Sequence, residues 1–104
     1  MQRGEVWWAN LPKPTGRRPV LILSRNIAIH VREYVTVAEI TTTIRHIPVE
    51  VHLRREEGMP KECVINLDVI NTIPKKFLVE LITELNHGKL GDVEKKLKFA
   101  LALE

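Results

Sequence analysis

The first two thirds of the chain consist of short apolar or β-branched runs separated by turn residues. Residues 5–11 and 34–43 predict strands from their β-branched and aromatic content. Residues 19–24 are almost continuously apolar, as is typical of a strand that is buried on both faces. Three further strands are predicted at 47–53, 62–67 and 78–85, the last after a turn or helical piece at 74–77. Residues 26–33 fit either one helical turn or a loop, and 54–61 form a polar loop.

Only the end of the chain has a helical pattern. Residues 88–103 carry an apolar stripe at helical spacing, formed by Leu90, Val93, Leu97, Ala100 and Leu101. Asn86 is placed to cap its N-terminus. Phe99 and Leu103 widen this stripe, so the helix either serves a partner as well or is one wide core-facing helix.

Five to seven short strands followed by one helix predict a mainly β, α+β fold. We expect a small, partly closed antiparallel barrel with a C-terminal amphipathic helix. With 104 residues and no internal repeat or linker, residues 1–104 form a single domain. Trp7 and Trp8 fall on opposite strand faces: either one is core and the other rim, or both pack inside the barrel.

Composition excludes several classes of protein. Apolar residues make up 44% and charged residues 28%, which is typical of a globular chain. No apolar run approaches the ~20 residues of a membrane span, and the first residues show no signal-peptide pattern. The single cysteine, Cys63, cannot form an internal disulfide and lies in an apolar run, so we expect a buried thiol and a cytoplasmic protein.

The distribution of charge is more informative than its total of +3. Residues 1–32 contain six basic residues and one acid, a net charge of +5, and residues 33–104 contain ten basic and twelve acidic residues, a net charge of −2. A basic N-terminal third favours a polyanionic partner on one face, although a solvated charged surface produces the same excess.

No motif for a metal or a cofactor is present. His46 and His52 are six residues apart, without other ligand types at metal-binding spacing, and Cys63 stands alone. There is no phosphate-binding glycine loop, nucleophile elbow or dinucleotide turn. We therefore expect any catalysis to need neither metal nor cofactor.

The strongest candidate for chemistry follows Gly16, where Arg17 and Arg18 precede the apolar strand. The planar guanidinium group carries a rigid fork of N–H donors whose geometry suits hydrogen bonds to phosphate oxygens. Strand alternation allows a barrel to gather Arg18, Ser24, Glu39 and Thr41 at one end, as a phosphate-sized cluster of donors with an acid nearby. The same pattern also fits a plain salt bridge between Arg18 and Glu39, with Thr41 as a β-former.

A resemblance in both the order and the spacing of short segments adds to this picture. The segments are Arg3-Gly4-Glu5-Val6-Trp7-Trp8, Gly16-Arg17-Arg18-Pro19-Val20, Leu23-Ser24 with Asn26, Ala38-Glu39-Ile40-Thr41, Ile47-Pro48-Val49-Glu50-Val51, Pro60-Lys61-Glu62-Cys63-Val64 and Asn71-Thr72-Ile73. Over essentially its whole length the chain resembles the MazF/PemK family of toxin endoribonucleases from toxin–antitoxin modules.

The resemblance implies an SH3-like barrel that forms a homodimer and cuts single-stranded RNA at short sequences without metal. It also implies inhibition by a cognate antitoxin. The family's active-site arginine and threonine fall on Arg18 and Thr41, and its substrate-contacting serine falls on Ser24. We add Arg17, Asn26 and Thr42 as substrate contacts.

These residues suit attack of the ribose 2′-OH on phosphorus, which gives a 2′,3′-cyclic phosphate and a 5′-OH. Arg18 would stabilise the charge on phosphate, Thr41 would support it by hydrogen bonding, and Glu39 is a candidate base. Glu39 stands where relatives usually carry a small or apolar residue, and residues 69–71 also depart from the family pattern. Two alternatives remain open: an inactive homologue that binds RNA or antitoxin, and a non-enzymatic barrel toxin that poisons a protein such as gyrase.

Overall fold

A single curled antiparallel sheet forms most of the protein. The computed structural model describes all residues, 1–104, and orders six strands as β4-β5-β3-β2-β1-β6. The strands are β1 (Glu5–Asn10), β2 (Arg17–Ile22), β3 (Tyr34–Thr41), β4 (Glu50–Leu53), β5 (Cys63–Pro74) and β6 (Leu78–Glu84). The helices are α1 (Asn26–Val31) and α2 (His87–Ala100), with single 3₁₀ turns at Arg55–Glu57 and Lys75–Phe77. The predicted fold class, mainly β with a C-terminal helix, is confirmed.

The sheet has apolar side chains on both faces, which form two separate cores. The first core has 13 buried residues and includes Leu21, and the second has 8 and includes Val20 and Ile22. Three successive residues of β2 are therefore fully buried, because they alternate between the two cores. This confirms the strand that its apolar run predicted to be buried on both faces.

Strand β5 is twice as long as the sequence indicated. Residues 62–67 predicted a short strand, but β5 continues to Pro74. Its register against β3 shifts between Ala38 and Glu39, since Glu39 pairs with Asn66 and Ala38 pairs with Ile70. Residues 67–69 have no counterpart on β3, and such bulges bend a strand. The apolar alternation continues to Val69, but Ile70 and the polar pair Asn71-Thr72 break it, so the second half of the strand has no continuous strand pattern.

Strand β4 is shorter than predicted. The alternation at 47–53 is real, but pairing with β5 begins only at Glu50. The preceding residues form a turn in which the Glu50 N–H donates to the carbonyl oxygen of Ile47 at 3.1 Å. The Glu50 side chain lies on the face opposite Val49 and Val51, but it too is buried, with only 3% exposed. Both faces of the sheet are therefore buried where β4 begins.

Helix α2 closes the first core. Val93 is fully buried, and Leu90, Leu97 and Ala100 pack against the same core. The helix ends at Ala100, three residues before the predicted end, and Leu101 lies beyond it and is 53% exposed. The ambiguous segment 26–33 contains the short helix α1. Neither helix is long and apolar enough to cross a membrane.

The N-terminus of α2 is capped as the sequence predicted. The Asn86 side-chain oxygen accepts a hydrogen bond from the Lys89 N–H at 2.8 Å. This bond satisfies one of the amide groups that the first turn of a helix leaves without an intrahelical partner.

We predict that Asn86→Ala lowers the free energy of unfolding by about 1 kcal/mol, because the first turn of α2 loses its acceptor. Urea unfolding followed by circular dichroism measures this change. Asn86→Asp should retain nearly all of the stability. Asn10→Ala is the matched control, since the exposed Asn10 side chain makes no such bond, and should change stability by less than about 0.5 kcal/mol. Equal effects of Asn86→Ala and Asn10→Ala would contradict the role of the cap.

Candidate functional site

The register between β2 and β3 brings the candidate residues together. Val20 pairs with Glu39 in an antiparallel ladder. Arg18 precedes Val20 by two positions and Thr41 follows Glu39 by two, so both lie toward the same end of the pair. Because alternate residues share a face, Arg18, Glu39 and Thr41 extend the face that forms the second core.

Arg18 and Glu39 form an ion pair within this group. Arg18 Nη1 lies 3.3 Å from Glu39 Oε1, and the two side chains are 34% and 13% exposed. The other carboxylate oxygen, Oε2, accepts a hydrogen bond of 2.7 Å from Asn71 Nδ2. The two interpretations of the sequence are therefore both correct: Arg18 and Glu39 form a salt bridge, and this salt bridge is part of the cluster with Thr41.

The Thr41 hydroxyl has a fixed acceptor role and a free donor. Its Oγ1 accepts a hydrogen bond of 3.1 Å from the N–H of Thr43. No side-chain or backbone acceptor takes its own hydrogen. A hydroxyl carries one donor and two acceptor lone pairs, so Thr41 can donate to an incoming oxygen while its orientation is held by the backbone.

Arg18 and Thr41 separate two neighbouring clefts. The larger, which we call the Trp8 cleft, has a volume of about 430 Å³, and the smaller, the Glu39 cleft, about 280 Å³. The Trp8 cleft is lined by Trp8, Arg17, Arg18, Pro19, Ile40, Thr41, Thr42, Met59, Pro60, Lys61 and Cys63. The Glu39 cleft is lined by Arg18, Glu39, Thr41, Thr43, Arg45, Asn66 and Val69. Because Arg18 and Thr41 line both clefts, the two clefts form one continuous depression.

The larger cleft combines an aromatic surface with cations. The Arg17 guanidinium lies over the Trp8 ring, 4.9 Å from its centre, and also 3.3 Å from Glu80. Of the two tryptophans, Trp7 packs against the second core, whereas Trp8 lines this cleft, so one is core and the other rim. Thr42 lines the same cleft.

Ser24 and Asn26 lie elsewhere. The expectation that Ser24 joins Arg18 at one end of the barrel is wrong in geometry, because Ser24 follows the opposite end of β2. Its Oγ accepts a hydrogen bond from the Thr36 N–H at 2.8 Å. Asn26 Oδ1 accepts from the Arg3 N–H at 2.7 Å. Ser24 thus joins the segment after β2 to β3, and Asn26 joins the start of α1 to the N-terminal segment. Neither lines the two clefts.

Several cleft residues escaped the sequence-based selection. Arg45 and Thr43 come from the β3–β4 loop, Asn66 from β5, and Met59 and Lys61 from the predicted polar loop. Of these residues, only Arg45 and Lys61 had a usable signal in the sequence, namely their positive charge. Arg45 also lies only four positions beyond Thr41. The others are placed by the β5 bulge and by loop folding, which no local pattern encodes.

The thiol of Cys63 borders the larger cleft but is not reactive. Its side chain is 3% exposed, which confirms the expected buried thiol. Burial, with the nearby Glu62 and Glu57 carboxylates, raises its pKa from 9.0 to about 11. At neutral pH it is a protonated, apolar wall of the cleft.

The histidines form no metal site. The rings of His46 and His52 are 5.8 Å apart and tilted by 30°. No group of three or more His, Cys, Asp or Glu side chains is placed to hold a metal ion.

Comparison with known proteins agrees over almost the whole chain. The family described as PemK-like, MazF-like toxin of type II toxin-antitoxin system matches residues 2–101. A probable endoribonuclease MazF5 of Mycobacterium tuberculosis is 38% identical over 92 residues, which are 88% of this chain and 79% of that protein.

Solved structures show the same fold. The Mycobacterium tuberculosis toxin MazF-mt6 superposes with a TM-score of 0.88 at 31% identity, covering 96% of this chain and 98% of that one. An endoribonuclease in complex with its cognate antitoxin from a Mycobacterial species superposes with a TM-score of 0.88 at 28% identity, covering 100% and 97%.

Fold and site together define a small curled barrel that presents an arginine and a threonine side by side where two clefts meet. The family match places this barrel in a known group. The chain belongs to the family of PemK-like, MazF-like toxins of type II toxin–antitoxin systems.

We predict that the folded protein reacts with iodoacetamide at pH 8 at least about 100-fold more slowly than the unfolded chain. A pKa of about 11 in place of 9.0 leaves about 100-fold less thiolate, and burial adds to this. Mass spectrometry of the alkylated protein gives the rate, with the same chain in guanidinium chloride as control. Alkylation of the native protein as fast as that of the unfolded chain would show that Cys63 is not held in this environment.

Proposed function

We propose that this protein is a metal-independent, sequence-specific endoribonuclease toxin. It cleaves single-stranded RNA by attack of the ribose 2′-OH on the adjacent phosphorus. The observation that carries the proposal is the placement of Arg18, Glu39 and Thr41 on one face at one end of the β2–β3 pair. These residues supply a cation, an acid–base group and a free hydroxyl donor within one cleft.

The reaction needs a site that stabilises charge on phosphorus. In it the O2′–P bond forms, the P–O5′ bond breaks and the products carry a 2′,3′-cyclic phosphate and a 5′-OH. Negative charge accumulates on the non-bridging oxygens in the transition state. The Arg18 guanidinium and the Thr41 hydroxyl donate hydrogen bonds to these oxygens, which is where preorganised donors accelerate a reaction most.

Glu39 is assigned as the base that takes the 2′-OH proton. It is the only carboxylate that lines either cleft. In the free protein both of its oxygens are engaged, one with Arg18 and one with Asn71. Binding of an RNA phosphate to Arg18 releases Oε1 from the ion pair, and that oxygen then accepts the proton. We assign Arg18 as the donor of the proton that the departing 5′ oxygen receives.

The Trp8 cleft supports RNA as the substrate. The half-buried Trp8 ring with an arginine over it, next to Lys61 and two threonine hydroxyls, offers stacking and hydrogen bonds to a nucleotide beside the scissile bond. Thr42 and Arg17 act there as substrate contacts. Ser24 and Asn26, which lie at the far end of β2, stay in the proposal as contacts to more distant nucleotides.

We further propose a cytoplasmic homodimer that a cognate antitoxin neutralises. The single free cysteine fits a reducing compartment. Five apolar side chains of β6 and the C-terminal segment are between 45 and 62% exposed: Val79, Leu81, Phe99, Leu101 and Leu103. These exposed side chains are available for contacts with a second copy of the chain and with antitoxin. A related endoribonuclease has been solved in complex with its cognate antitoxin.

We predict that the purified protein, freed of antitoxin, cuts single-stranded RNA in the presence of EDTA. Arg18→Ala should lower kcat by about 10²- to 10³-fold, because one donor to the transition-state oxyanion is lost. Gel analysis of a long transcript measures the cleavage. DNA of the same sequence should stay intact, since it lacks the attacking 2′-OH.

An inert but folded wild-type protein would contradict the proposed activity and favour the inactive homologue. Activity that is unchanged in Arg18→Ala would contradict the assigned site. Arg32→Ala is a suitable control, because Arg32 is exposed at the end of α1 and forms no ion pair.

We predict that Glu39→Gln lowers kcat by about 10²-fold or more, because an amide cannot accept the 2′-OH proton at neutral pH. The pH dependence of kcat distinguishes a base from a structural partner, since the low-pH limb of the profile should disappear in the variant. Near-normal cleavage by Glu39→Gln, together with a large loss in Arg18→Ala, would remove Glu39 from the role of base.

A further inference from the structure

Glu50 is the one charged side chain that the protein buries, and the proposed reaction does not use it. It is 3% exposed, and no cation lies within ion-pair distance of its carboxylate. A buried charge is costly unless hydrogen bonds compensate for it. The hydrogen-bond partners of the Glu50 carboxylate therefore identify which part of the structure it holds.

Its partners are backbone amides of the β3–β4 loop. The N–H of Arg45 lies 3.2 and 3.1 Å from the two carboxylate oxygens, and the N–H of His46 donates to Oε1 at 2.9 Å. His46 has φ of 56°, the left-handed region that residues other than glycine rarely adopt. In this conformation two successive N–H groups converge on one carboxylate. The loop is therefore fixed from inside the protein.

This loop leads directly from the candidate site. It leaves β3 at Thr41, whose hydroxyl accepts the Thr43 N–H, and it returns to β4 at Glu50. Between these two anchors, Arg45 and Thr43 line the Glu39 cleft together with Arg18. The Arg45 side chain is exposed and forms no ion pair. Arg18, in contrast, already has Glu39 as its partner.

We propose that Arg45 is a second phosphate-binding arginine of this site and that Glu50 is its positioning residue. This inference rests on the proposed ribonuclease function. Arg45 binds a backbone phosphate that neighbours the scissile one, so it contributes to holding the RNA and not to the chemical step. An unpaired guanidinium has no internal carboxylate to displace before it binds a phosphate of the RNA backbone.

The role separates from that of Arg18 in two measurable ways. A phosphate contact lowers Kd and KM without a comparable effect on kcat, because it is made equally in the ground state and the transition state. It also steepens the salt dependence of binding, since each neutralised phosphate of a single strand adds about 0.7 to the slope of log K against log salt.

The test measures binding and cleavage on the same variants. Binding is followed by fluorescence anisotropy of a labelled single-stranded RNA whose riboses all carry 2′-O-methyl groups, so that it cannot be cut, over a series of salt concentrations. We expect Arg45→Gln to weaken binding about fivefold and to reduce the salt slope by about 0.7, with kcat on a cleavable transcript near the wild-type value. Arg45→Lys should recover most of the affinity. Arg32→Gln, which removes an exposed and unpaired arginine beyond the opposite end of β3, is the matched control.

The role of Glu50 is tested by a double-mutant cycle. Glu50→Gln keeps the shape but replaces one acceptor oxygen with an NH₂ group facing the loop amides. We expect it to weaken RNA binding and to make the further change Arg45→Gln nearly silent, because Arg45 is then no longer held at the cleft. Full and independent effects of the two substitutions would contradict a positioning role. If Glu50→Gln does not fold, the Arg45 variants still decide the phosphate contact.

The failure of this inference is distinguishable from failure of the proposed function. A wild-type protein that neither binds nor cuts RNA overturns both. A wild-type protein that cuts RNA while Arg45→Gln has unchanged affinity and salt slope overturns only the role of Arg45. A tenfold or larger loss of kcat in Arg45→Gln, with binding unchanged, would also overturn it, because Arg45 would then act on the chemical step.

Discussion

The antiparallel pairing of β2 with β3 is the constraint on which the site depends. Because Val20 lies opposite Glu39, Arg18 and Thr41 meet at one end of the strand pair. A slip of one residue would move every side chain of β2 to the other face of the sheet. Such a slip would exchange Leu21 with Val20 and Ile22 between two different cores, so apolar burial on both faces holds the register that the polar cluster needs.

Within that register, the charge of Arg18 is balanced inside the protein. Glu39 lies against it, and Asn71 holds the second carboxylate oxygen. The Arg18 side chain stays about one third exposed, so it remains accessible to an anion from solution. In the proposed mechanism, a bound phosphate takes over the cation and leaves the Glu39 carboxylate without its partner next to the reacting hydroxyl. The ion pair that orders the site would then also supply the base.

Much of this arrangement could be predicted from local pattern. The apolar run of β2, the Asn86 cap and the pairing of Arg18 with Glu39 and Thr41 all follow from alternation and capping rules applied to a few neighbouring residues. The family resemblance carried the assignment of Arg18 and Thr41, which the pattern alone left open against a simple salt bridge. The β5 bulge, the turn at 47–50 and the displacement of Ser24 depend on contacts between distant segments. Arg45 was missed although it lies only four positions beyond Thr41, because its place at the cleft depends on how the β3–β4 loop folds around the Glu50 carboxylate.

The central claim is that the scissile phosphate of RNA binds between Arg18 and Thr41 at this end of the β2–β3 pair. A crystal structure of the protein with a short RNA that carries one 2′-deoxy ribose at the cleavage position tests it most directly. The account predicts a phosphate oxygen within hydrogen-bond distance of both the Arg18 guanidinium and Thr41 Oγ1, with the Arg18–Glu39 contact opened. A scissile phosphate bound elsewhere, for example beside Ser24 at the far end of β2, with Arg18 still paired to Glu39, would contradict it.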